Sequence, residues 1–156
     1  MRFFTRQWCD GELSEEDAER VPGLYAAHLR SLTERLTPRI RQFAAEINLH
    51  DGLIRGVEHD EHARTLNLRV RAGDKQVGYC DVDLAYLDAA PDPRAVHVLH
   101  RMGRDPRYEL RYDELDTGES TPFVHRLLFW PEDEVTIGFR ELAWRRIPRR
   151  DRSGAA

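Results

Sequence analysis

The sequence predicts an α+β domain in which N-terminal helices pack on an antiparallel meander sheet of about six strands, a sheet that could curl. Three observations predict it. Up to His50 the apolar residues recur three and four positions apart, and after Gly52 they alternate with polar ones. The alternating segments are separated by turns too short to carry a parallel crossover. The helical part spans 14–50 and the sheet 53–147, so residues 1–148 read as one domain and 149–156 as a flexible basic tail.

Ser14 followed by Glu15, Glu16 and Asp17 is a helix start, a hydroxyl cap with acids at the positive end of the dipole. Val21-Pro22-Gly23 reads as a break in that helix. Leu24, Tyr25, His28, Leu29, Leu32 and Leu36 then draw one apolar stripe. Thr37-Pro38 caps and opens the next helix, whose stripe is Ile40, Phe43, Ala44 and Ile47, and His50-Asp51-Gly52 ends it. Leu53 to Glu58 reads as a weak strand. Thr65 to Arg71 alternates without a fault, and Ala72 to Lys75 turns the chain into a second strand, Gln76 to Leu87, with Cys80, Val82, Leu84 and Tyr86 on one face. Pro91-Asp92-Pro93 marks a loop and Arg94 to Met102 a short helix. Tyr108 to Leu115, Phe123 to Trp130 and Val135 to Ile147 complete the meander.

Composition narrows the function classes. The chain has 156 residues with six Phe, five Tyr and three Trp, too aromatic for disorder and long enough to fold without disulfides or metal. It contains no apolar run of membrane-spanning length, and Arg6 and Asp10 interrupt the start before a secretory signal could form, so the expectation is a cytoplasmic protein. A net charge of −4 argues against a general nucleic-acid binder. Residues 145–152 nevertheless carry five Arg and one Asp. Cys9 and Cys80 stand apart from each other and from any C-x-x-C spacing, as reduced thiols do.

The alternation gives the sheet an apolar face (Leu66, Leu68, Val70, Val82, Leu84, Leu110, Tyr112) and a polar one (Asn67, Arg69, Arg71, Asp81, Asp83, Glu109, Arg111, Asp113). Opposite charges on neighbouring strands are the ordinary way such a sheet meets water. If the face curls, its arginines could hold an anion and its carboxylates a cation. The lysine-rich face of enzymes that cleave triphosphates inside a β-tunnel is missing, because Lys75 is the one lysine. His97 and His100 stand three apart on the short helix without a third ligand at a metal-binding spacing. His28 and His125 read as core histidines, and His59 and His62 lie in a polar turn. No nucleophile elbow, P-loop or dinucleotide fingerprint occurs, so no residue is assigned a catalytic role and no metal or cofactor is expected.

The opening Met1-Arg2-Phe3-Phe4-Thr5-Arg6-Gln7-Trp8, with Leu127-Leu128-Phe129-Trp130-Pro131 and Ile137-Gly138-Phe139-Arg140, resembles a family of small bacterial proteins of unknown function. The resemblance implies a small bacterial cytoplasmic protein and brings no catalytic residue with it. Two functional expectations remain. The first is a non-enzymatic interaction module that meets a protein partner through the polar sheet face or through Trp8, Trp130 and Trp144. The second is a metal-assisted hydrolase of an anionic substrate, with Asp81, Asp83, Glu109 and Asp113 as oxygen ligands and Arg69, Arg71 and Arg111 on the anion.

Overall fold

The computed structural model describes residues 1–76 and 78–150. Capping side chains start the three N-terminal helices. Thr5 accepts the Trp8 amide at the head of α1 (Arg6–Cys9), and Ser14 accepts the Asp17 amide at the head of α2 (Glu15–Ser31). Thr37 does the same for Ile40 in α3 (Pro38–Glu46), with Pro38 at the first turn. The break expected at Val21-Pro22-Gly23 is not there, for α2 runs straight through Pro22. A proline has no N–H for the carbonyl four residues back. That carbonyl belongs to Ala18, and the Trp8 indole Nε1–H donates to it at 2.9 Å. A side chain from another element thus replaces the bond that Pro22 cannot make.

The class is α+β, and its eight strands form two antiparallel sheets of four rather than one meander. The first sheet holds β1 (Leu53–Asp60), β2 (Thr65–Asp74), β3 (Gly78–Leu87) and β8 (Glu141–Arg149), paired in that order. The second has the order β4 (Ala90–Pro91), β7 (Glu134–Phe139), β6 (Phe123–Trp130), β5 (Glu109–Thr117). The segment 135–147, read as a single strand, divides at Arg140. Val135, Ile137 and Phe139 are buried on odd positions, whereas the next buried residue, Leu142, is even. That change of parity is where the chain leaves the second sheet and completes the first. Arg149, assigned to the tail, belongs to β8 and pairs with Tyr79. Arg150 follows as a bend, and the rest of that tail, 151–156, lies outside the described residues.

The inner faces of the two sheets share one core. Leu66, Leu68, Val82, Leu84 and Leu142 contribute from the first, and Leu110, Leu127, Phe129, Ile137 and Phe139 from the second. Helix α4 (Ala95–Arg104) buries Ala95, Val98, Leu99 and Met102, an i, i+3, i+4, i+7 stripe against β1 and β7. His97 and His100 are left exposed on its solvent side. The sheets touch where Gly52 bridges to Leu110, whose amide reaches the Gly52 carbonyl at 2.7 Å. A Cβ at residue 52 would stand 2.6 Å from the Leu49 carbonyl oxygen and 2.7 Å from Val70, so only glycine fits this crossing. Among the described residues, no helix is long and apolar enough to cross a membrane.

Candidate functional site

The polar face predicted for one sheet is divided between two. Asn67, Arg69, Arg71, Asp81 and Asp83 share the outer face of the first sheet, while Glu109, Arg111 and Asp113 are on β5 of the second. A bulge between Leu110 and Tyr112 makes Arg111 an extra residue and reverses the alternation. Asp113 consequently shares the core side with Leu115 and His125, and Tyr112, expected among the apolar residues, turns outward with Glu114. Arg111 donates to Asp51 at 3.1 Å. The four carboxylates proposed as metal ligands therefore do not converge. Among the described residues, no group of three or more His, Cys, Asp or Glu side chains is placed to hold a metal ion.

What the first sheet does build is an ordered ladder of arginines and aspartates. Gly56, Arg69, Asp83 and Arg145 stand opposite one another in one row across β1, β2, β3 and β8. Arg69 grips Asp83 with Nε at 2.6 Å and Nη2 at 3.2 Å, and Arg145 reaches the same carboxylate at 2.7 Å. The Arg69 hydrogen bonds hold the Asp83 carboxyl below the ordinary range, against an opposing effect of burial. A second such unit sits one step along the strands, where Asp81 is clasped by Arg71 and accepts from Arg149 at 2.7 Å. Burial alone would raise the Asp81 carboxyl. The bonds from Arg71 and Arg149 outweigh it, so this group too lies below its usual value.

The two units differ in access. Arg71 and Asp81 are fully buried, flanked in their row by Leu53 and Ile147. That pair braces the sheet and is closed to a ligand, which corrects the expectation for both residues. Asp83 and its arginines border a groove of about 420 Å³. The neighbouring row reads Glu58, Asn67, Ala85, Ala143 across the sheet, and its two alanines leave open space beside the guanidinium groups. Arg145, which the sequence reading places in the strand 135–147 but not among the candidate site residues, joins this row. Its register opposite Asp83 follows once 135–147 is divided at Arg140.

The tryptophans behave differently from one another. Trp8 is half-buried, its indole held by Ala18 and its ring edge-on to Tyr112 at 4.7 Å. Trp144 donates to the Arg39 carbonyl at 3.1 Å and meets Phe43. Both are therefore anchored by internal packing, and Trp144 also lines the groove on the first sheet. Trp130 is 48% exposed and stays available at the end of β6.

The opening segment, Met1 to Trp8, is a docked arm. The buried Glu114 carboxylate accepts the amides of Arg2 and Phe3 at 2.7 Å each and of Phe4 at 2.6 Å. The terminal amine pairs with Glu134. The Arg6 guanidinium binds the carbonyls of Phe129 at 2.9 Å and Pro131 at 3.1 Å, tying down the turn after β6. Asp116 gathers His28 at 2.9 Å and Arg126 at 3.2 Å beside it. These contacts give the basic and aromatic letters of the arm a structural role.

Beneath the arm, His125 is fully buried and bonded on both ring nitrogens, to the Tyr86 hydroxyl at 2.7 Å and to Asp113 at 2.9 Å. Burial, and next the Asp113 charge, push the Tyr86 phenol well above its ordinary value, so it keeps its proton, and the Asp113 carboxylate accepts from His125 Nε2. Against this geometry, no protein-family model, no curated protein and no solved structure matches the chain.

Proposed function

We propose that the protein is a non-enzymatic binding module whose groove on the first sheet receives an acidic segment of a protein partner. The supporting observation is the Arg69–Asp83–Arg145 row beside Ala85 and Ala143. Asp83 fixes the two guanidinium groups before any partner arrives, which removes much of the side-chain entropy that arginine loses on binding. Each guanidinium keeps an Nη1 beyond the Asp83 pairing, so a second carboxylate can be gripped without breaking the first. The charges lining the groove balance, Arg69 and Arg145 against Asp83 and Glu58, so the outward edges of the two guanidinium groups rather than a net charge would hold the acidic segment. Metal-assisted hydrolysis at this face is disfavoured, because both aspartates already carry two arginine partners.

The test is fluorescence anisotropy with a labelled Glu/Ala decapeptide, a Gln/Ala counterpart and a single-stranded oligonucleotide. Saturable binding of the acidic peptide alone, weakened at least about tenfold by Arg145→Glu and by raised salt, is the expected outcome. Equal binding of the Gln/Ala peptide, preference for the oligonucleotide, or indifference to Arg145→Glu would overturn the reading. Arg145 is two-thirds exposed, so its variant should fold.

A further inference from the structure

A second cavity, of about 340 Å³, opens between α2, α3, the free edge of β5 and the docked arm. It is separate from the groove and owes nothing to the function proposed there. Its walls are chiefly carbon, with Phe4, Phe43, Ile47 and the rings of Tyr25 and Tyr112 prominent among them. One carboxylate lines it, that of Asp113.

Asp113 is set up in a particular way. Oδ2 accepts from His125 Nε2, whose other nitrogen is held by Tyr86, and both Tyr86 and His125 are inaccessible to solvent. The chain of bonds fixes the carboxylate from behind and leaves Oδ1 for whatever occupies the cavity. No arginine or lysine lines the cavity to neutralise that charge. The histidine there, His50, directs Nδ1 at the Arg111 carbonyl, and its Nε2 stands 3.6 Å from Asp51 Oδ1. The Tyr25 hydroxyl accepts the Leu115 amide at 2.8 Å and closes the strand edge on the other side.

An apolar chamber with a rigid carboxylate and aromatic rings discriminates sharply between ligand charges. An anion is repelled by Asp113, and a neutral alcohol gains one hydrogen bond. An organic ammonium gains the carboxylate, the ring quadrupoles and burial of its hydrocarbon together. We propose that this cavity binds a small organic cation of the alkyl- or arylammonium class, its nitrogen on Asp113 and its carbon skeleton among Phe4, Tyr25 and Tyr112.

Isothermal titration and ligand-detected NMR on the full chain should use phenethylammonium, 2-phenylethanol and phenylacetate, which are near in shape and differ in charge. The expected order is phenethylammonium first by at least tenfold over the alcohol, with no detectable binding of phenylacetate. Asp113→Asn should reduce phenethylammonium binding at least tenfold, and Ala44→Leu, which fills the cavity without touching the carboxylate, should abolish it. Tyr86→Phe, which removes only the hydroxyl behind His125, should weaken it a few-fold. Equal binding of amine and alcohol, no binding of the amine to the wild-type chain, or full binding to the folded Ala44→Leu variant would each overturn the assignment.

Discussion

Removing the Trp8 indole N–H tests the most specific local claim, that a distant side chain lets α2 pass through Pro22. In the wild-type chain the Ala18 carbonyl has no helical donor at residue 22 and accepts from Trp8 Nε1 at 2.9 Å. Trp8→Phe keeps an aromatic ring against Phe4 and Tyr112 and deletes the donor. A net hydrogen bond contributes about 1 kcal/mol, and a partly buried carbonyl left without a donor adds to the loss, so the variant should lose about 1–2 kcal/mol plus some packing. Packing is removed from the comparison by a double-mutant cycle with Pro22→Ala. Residue 22 then supplies its own amide to Ala18, and the cost of Trp8→Phe should fall by about 1 kcal/mol. Urea denaturation of the four proteins, followed by far-ultraviolet circular dichroism, measures that coupling. Additivity within about 0.3 kcal/mol would refute the compensation and leave Trp8 as packing alone.

Other outcomes are expected from the same structure. Asp81→Asn leaves Arg71 buried beside an uncharged amide and should destabilise the protein by about 3–5 kcal/mol in denaturant melts, with much of the loss recovered by Arg71→Met combined with Asp81→Leu. Glu114→Gln brings an amide NH₂ against the donors of Arg2, Phe3 and Phe4 and should cost at least about 2 kcal/mol, with hydrogen exchange at those amides accelerating more than in the core strands. Asp81, Asp83 and Asp116 all have folded-state values below the ordinary carboxylate range, so the unfolded chain takes up protons first as pH falls. Their stabilisation is present above the unfolded value of about 3.9 and is lost as pH drops through the lower folded values; Tm should hold from neutral pH to about 5 and fall steeply below 4, and a flat Tm down to pH 3 would contradict the pairings. Gly52→Ala places a methyl group against backbone at the contact between the sheets and should lower Tm, an overpacking loss of about 1–3 kcal/mol.

The elements whose cause is local were legible in the sequence. Ser14 and Thr37 cap their helices, and the two alternating segments pair as the hairpin of β2 and β3, because capping and pleating act between near neighbours. The misreadings are non-local. Pro22 reads as a break until Trp8 is seen to reach Ala18. Arg111 looks like one more alternating residue, yet as a bulge it moves Asp113 from a water-facing row to the side of His125. The site shows the same division. Arg69 opposite Asp83 follows from the hairpin register, whereas Arg145 enters only when β8 docks on β3. The division at Arg140 was visible in principle, since the buried positions change from odd to even between Phe139 and Leu142.

That division also sets an order of events during folding. The hairpin of β2 and β3 can form as soon as it is synthesised, but its outer neighbour on one side is β8, which pairs Tyr79 with Arg149 and Leu87 with Glu141. Until β8 is made, β3 presents an unpaired edge, and Asp81 and Asp83 lack one of their two arginines. Closure of a loop this long is slow compared with hairpin formation. A nascent chain halted between β7 and β8 therefore carries an open strand edge, with each aspartate matched by one arginine of the hairpin, and the arrival of β8 both covers that edge and adds the second arginine to each.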